Sequence, residues 1–119
     1  MLRNTSATVL VAAALAIAPA AALAHHGWSS YDADRTITHS APLTNVSWSN
    51  PHGTAKVRYQ NAEWDVILAP VARMEARGLS RDMVAPGRPV TLVGYPRKDG
   101  TREMRIERVI VGNRTVELR

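Results

Sequence analysis

The first 24 residues constrain this chain more than any other feature, because they decide which part of it must fold. Arg3 gives a short positive start, and no acidic residue precedes Asp32. From Ala7 to Ala18 the chain is almost wholly apolar, Pro19 breaks any helix, and Ala22-Leu23-Ala24 offers small residues where signal peptidase needs them. The competing reading is a membrane anchor. Against it, the apolar stretch is about 18 residues, alanine-rich and interrupted by proline, where a spanning helix needs roughly 20. The expectation is a cleaved signal peptide over residues 1–24 and a periplasmic mature chain that begins at His25-His26. After processing it is expected not to be membrane-embedded.

Removal of 24 of the 119 residues leaves 95, enough for one compact domain. The formal charge of +5 falls to +4 with the loss of Arg3. Cysteine is absent, so an exported domain of this size must fold on hydrophobic packing without disulfides. Its basic residues are spread through the chain and interleaved with Asp and Glu, whereas a nucleic-acid footprint would cluster them. Nucleic acid is therefore not an expected partner.

Residues 25–35 read as an N-terminal arm, polar but for Trp28 and Tyr31 and without a clear period. Residues 36–119 read as a single β-barrel domain. Alternation begins at Thr36, and Leu43, Val46 and Trp48 are inward candidates whose mismatched parity predicts a bulge near Thr44-Asn45. Ser49-Asn50-Pro51-His52-Gly53 is a dense turn signal. Strands follow over Thr54–Tyr59 and Glu63–Leu68, joined by Gln60-Asn61, to make a three-stranded meander.

The period then changes. Pro70 suits the first turn of a helix, Val71 and Met74 with Ala72 form an apolar stripe, and Gly78 suits a left-handed cap. A further turn capped by Ser80 covers Leu79–Met83. Val90–Tyr95 is a strand, Asp99-Gly100 a hairpin turn, and Met104–Val111 the longest strand, with a kink expected near Arg108-Val109 where the apolar face switches. A short strand over Thr115–Leu118 ends the pattern. This order matches a small OB-like Greek-key barrel of five to six strands with one short helix between strands 3 and 4. An open β-sandwich is the competing architecture.

The run His25-His26-Gly27-Trp28-Ser29-Ser30-Tyr31-Asp32 after a signal peptide resembles an uncharacterised family of small bacterial periplasmic proteins. Trp48-Ser49-Asn50-Pro51-His52-Gly53, Trp64-Asp65-Val66, Leu68-Ala69-Pro70 and Gly94-Tyr95-Pro96 carry the same resemblance. It implies a periplasmic setting and an OB-like barrel, and it brings no activity, because that family is a domain of unknown function.

Histidines are the chief chemical candidates. Cleavage after Ala24 would give His25 a free α-amine, whose pKa near 8 allows deprotonation when a metal binds. The amine and Nδ1 of His25 can chelate one ion, and an imidazole from His26 or His52 would complete a T-shaped nitrogen set of the kind Cu(II) favours. In a second mode the amine and the His26 amide and imidazole serve. The metal set expected is thus His25 and His26 first, His52 third and His39 last. The plainer reading is a polar arm and a turn decoration, for no His-x-His, Met-rich stretch or Cys accompanies them.

Catalysis by protein groups has little support. There is no thiol and no Gly-x-Ser-x-Gly, and strand alternation puts Glu63 and Asp65 together on an outward face. Trp48, Trp64 and Tyr59 read as core, and Trp28 as a ring packed over a site or a barrel mouth. The function expected is an exported non-catalytic binding or accessory domain, with copper as its cofactor at the N-terminal histidines. The alternative is a metal-free interaction module that contacts a protein, an envelope polymer or a small anionic ligand through its barrel face. A copper redox enzyme is a third option.

Overall fold

Strict alternation of apolar and polar residues can bury only one face of a strand, and a sheet that curls on itself satisfies this with a single core. The computed structural model describes residues 27–119, and they take that solution. The strands are β1 (Ile37–Pro42), β2 (Thr44–Ser47), β3 (Thr54–Tyr59) and β4 (Ala62–Ile67). After helix α1 (Val71–Ala76) and a 3-10 turn over Arg81–Val84 come β5 (Pro89–Pro96), β6 (Glu103–Val111) and β7 (Arg114–Glu117).

The sheet order is β1-β5-β6-β4-β3-β2, with β7 also on β6. All pairs are antiparallel except β4 with β6, which run parallel over Asp65–Ile67 and Glu103–Arg105. The two ends of this order, β1 and β2, are separated only by Leu43. They are the halves of one bent strand, so the sheet curls until its ends meet there. Counting them as one gives six strands and puts α1 between the third and fourth, as the OB-like reading expects.

Local sequence explains the breaks. Asn45 has φ +48°, and the β2–β3 register shifts between Thr44 and Ser47, where mismatched parity predicts a bulge. Gln60 and Asn61, both at positive φ, make the tight β3–β4 turn. Gly78 ends α1 at φ +93°, and Leu79 N–H donates to Met74 O at 2.9 Å in a left-handed cap. In β6 the register opposite Val93 and Gly94 skips Glu107. That extra residue reverses parity, which is why Met104 and Ile106 point inward before it and Val109 after it.

Leu43, Val57, Val66, Leu68, Leu92, Met104, Ile106 and Val109 fill the interior, and Met74, Leu79 and Val84 close it from α1 and the 3-10 turn. Trp48, Tyr59 and Trp64 pack against this core while half-buried. Among the described residues, no helix is long and apolar enough to cross a membrane.

Candidate functional site

The arm is part of the folded surface. A 3-10 turn over Trp28–Ser30 is pinned to the β5–β6 end of the sheet by three main-chain contacts. Lys98 N–H donates to Ser30 O at 3.0 Å, Asp32 N–H to Pro96 O at 2.8 Å, and Tyr31 bridges Arg97. Tyr31 is only 2% exposed although it lies outside the barrel. Its hydroxyl donates to Glu103 Oε2 at 2.7 Å, and Arg97 Nη1 reaches the same oxygen at 3.3 Å. Burial first, then the hydrogen bond to Glu103, pushes the Tyr31 phenol well above its usual range.

Beside it, Trp28 meets Tyr95 edge-on, with centroids 6.3 Å apart. The Arg105 guanidinium lies 4.5 Å from the Trp28 ring centre and 6.0 Å from that of Tyr31, and the Arg119 guanidinium lies 4.6 Å from Trp28. Trp28, Tyr31 and Tyr95 form the aromatic wall of an open cleft of about 310 Å³. Asp32 and Asp34 edge it on the arm, and Lys98 and Arg119 add basic groups. The Tyr95 hydroxyl donates to Glu107 Oε2 at 2.8 Å, and that bond leads the causes that raise its pKa.

Arg105 is the residue that sequence reading missed. Its place between Met104 and Ile106 marks it as outward, and outward residues are ordinarily wet. Here the arm covers it, so it is 9% exposed and its Nε has no hydrogen-bond partner. Burial leads the causes that lower its pKa. The only sequence signal was the pair of aromatics in an otherwise polar arm.

Of the histidines expected to hold metal, His25 and His26 lie outside the described residues. His52 is half-buried in the β2–β3 loop, after the cis Asn50-Pro51 bond. Its neighbour Gly53 is locked by hydrogen bonds to Ala69 and Leu68, so the loop abuts the β4–α1 junction. His39 sits apart on β1, where its Nε2–H donates to Arg58 O at 2.8 Å and its ring meets Tyr59 at 5.0 Å. Tyr59 in turn meets Trp64 edge-on at 5.4 Å, and the three rings sit together on one face of β1, β3 and β4. Among the described residues, no group of three or more His, Cys, Asp or Glu is placed to hold a metal ion.

Glu63 and Asp65 do share an outward face, where Lys56 bridges them at 3.2 and 3.0 Å. All three groups are well exposed, so this is an ordinary surface network rather than an acid–base pair. Trp28 lines an open cleft on the outer face of the sheet.

Comparison with curated proteins gives no match. A family model does match, over residues 12–105, which is most of the chain. The protein thus belongs to that family, DUF6152, described as a family of unknown function, in line with the uncharacterised domain that its motifs resemble.

Proposed function

We propose that this protein is an exported, non-catalytic binding domain of the periplasm that takes up Cu(II) at a mature N-terminus beginning with His25. The chelate would use the α-amine of His25 with the imidazoles of His25 and His26, and His52 is the third candidate. The observation that carries this reading is the anchored turn at Trp28–Ser30. It ties the chain to the barrel two residues after the histidine pair, at the rim of an aromatic cleft. A chelate formed there starts from an anchored chain and loses less ordering entropy than one on a loose tail. The donor set, an amine and imidazoles, is the nitrogen-rich type that favours Cu(II) among divalent ions.

The test is a Cu(II) titration of protein beginning at His25, repeated on protein with one extra residue before it. Tight binding that the extension abolishes is expected. No binding, or binding indifferent to the extension, overturns the copper reading.

One observation favours the metal-free alternative, an interaction module that contacts a partner protein, an envelope polymer or a small anionic ligand through its barrel face. A second open groove, of about 290 Å³, runs along β3 and β4 beside Asn45, Lys56, Asp65 and Glu103. In OB barrels the corresponding strands carry the binding face. That reading expects partner binding to be unaffected by the N-terminal extension and weakened by Lys56→Glu.

A further inference from the structure

We propose that the arginines gathered around Trp28 form a binding site for a small oxyanion, a carboxylate or phosphate group, held by Arg105 and Arg119. The site uses neither the N-terminal histidines nor the groove on β3 and β4, so it stands or falls apart from both.

Charge around Trp28 is unbalanced. A guanidinium stays protonated in proteins, so Arg105 carries a full charge into a site where it is 9% exposed. Among the described residues its side chain forms no hydrogen bond and no ion pair, and its buried Nε–H has no acceptor. Glu103, two residues away on β6, is engaged by Tyr31 and Arg97. Among the described residues the one carboxylate side chain paired with Arg119 is Glu107, at 3.8 Å, and that carboxylate also accepts from Tyr95 and faces Arg108 at 3.6 Å. Arg73, from α1, donates to Leu118 O at 3.2 Å and adds a third positive charge felt by Arg105. Of these three guanidiniums only Arg119 reaches a carboxylate side chain, and that carboxylate is divided among other partners.

Burial of an unpaired charge is costly, and native proteins ordinarily complete such a group with water, an ion or a ligand. The charge on Arg105 and on its neighbours Arg119 and Arg73 favours an anion for that role. A guanidinium is a planar fork suited to the oxygens of a carboxylate or phosphate, and an aromatic ring beside it holds that plane. The Arg105 and Arg119 guanidinium carbons, each within 4.6 Å of the same ring centre, lie no more than about 9 Å apart. Trp28 and Arg119 line open space of about 310 Å³, the size of a small-molecule site, and Arg105, which does not itself line it, packs against the Trp28 ring of that wall. Asp32 and Asp34 line the same cleft and disfavour an anion beside them, so the oxyanion is placed at the Arg119 side.

The purified protein is titrated with inorganic phosphate and, separately, with succinate, at ionic strength held constant with sodium chloride. Arginine Nε–H signals are followed by NMR and Tm by thermal unfolding. A saturable shift of the Arg105 Nε–H signal and a saturable rise in Tm are expected with at least one anion, and the responsive anion identifies the source of the oxyanion. Arg105→Met should fold and lose both responses, and Arg119→Gln should weaken binding about tenfold. Phosphate also stabilises many proteins by exclusion from their surfaces, and that unsaturable component should persist in Arg105→Met. The proposal is overturned if neither anion moves the signal, if Arg105→Met keeps the saturable response, or if only a polyanion such as heparin binds. Should Arg105→Met fail to fold, the signal in the unaltered protein and the affinity of Arg119→Gln decide the matter.

Discussion

The two faces of the β5–β6 pair are buried by different means. Inside the barrel, Leu92, Met104, Ile106 and Val109 are covered by other strands and touch almost only apolar atoms. On the outer face, Arg105 is covered just as the core is, but by the rings of Trp28 and Tyr31 and beside two more arginines. The inner face is closed by the sheet that carries it. The outer face is closed by a nine-residue stretch of arm, residues 27–35, held by a few hydrogen bonds and two aromatic rings. Burial alone therefore does not separate structural from functional residues here. What the burial does to charge separates them: the inner face removes apolar surface from water, whereas the outer face isolates a cation.

The inner face is expected to be the main source of stability. Leu92→Ala, at a fully buried position, should cost about 3 kcal/mol in urea unfolding. A loss below that of any outer-face substitution would reverse the ranking.

Gly94 joins the two faces. A Cβ there would collide with the Arg105 carbonyl oxygen and lie 3.0 Å from Ile106 Cα, both backbone atoms that cannot swing aside. Gly94→Ala should therefore cost about 2 kcal/mol by forcing β5 and β6 apart. The anion response should fall with it, because the same shift displaces Arg105.

The outer face should behave in the opposite way. Arg105→Met matches the side chain as far as Nε and removes an unpaired buried charge, so chemical unfolding without added anion should show a gain of about 1 kcal/mol. A loss of similar size would mean that stacking on Trp28 outweighs the unbalanced charge.

An effect of similar size concerns Tyr31. Its phenol is raised above the usual value of 10.0, by burial first and then by Glu103. The folded state thus holds this proton more tightly than the unfolded state does. The resulting stability is fully present below pH 10 and is lost as pH rises beyond it. Tyr31→Phe should cost about 1 kcal/mol at neutral pH for the lost hydrogen bond and should flatten the alkaline decline. Stability curves at several pH values check both effects, and an unchanged decline would remove Tyr31 as its source.

The inner face was readable in advance. Val57 with Ala55, Trp64 with Val66, and Met104 with Ile106 each show their parity in the sequence. The mismatch at Leu43 and Val46 announced the bulge near Asn45, and the apolar switch by Arg108-Val109 announced the skipped residue at Glu107. The candidate site was legible only in fragments. Trp28 stood out as an aromatic in a polar arm, but nothing nearby named its neighbours. Arg105 read as one more surface arginine, since alternation says which side of the sheet a residue faces and is silent on what covers that side.

By itself the sequence determined the inward residues, the turns and the element order of an OB-like barrel, because period-two patterning and turn chemistry are local and repeat along the chain. The cleft and its arginines were decided only in three dimensions. The bond from Tyr31 to Glu103 spans 72 positions, and Trp28, Arg105 and Arg119 come from the arm, β6 and the residues after β7. Contacts between such distant segments leave no period to read. They arise when the arm folds back onto a sheet whose outer face the sequence had left to water.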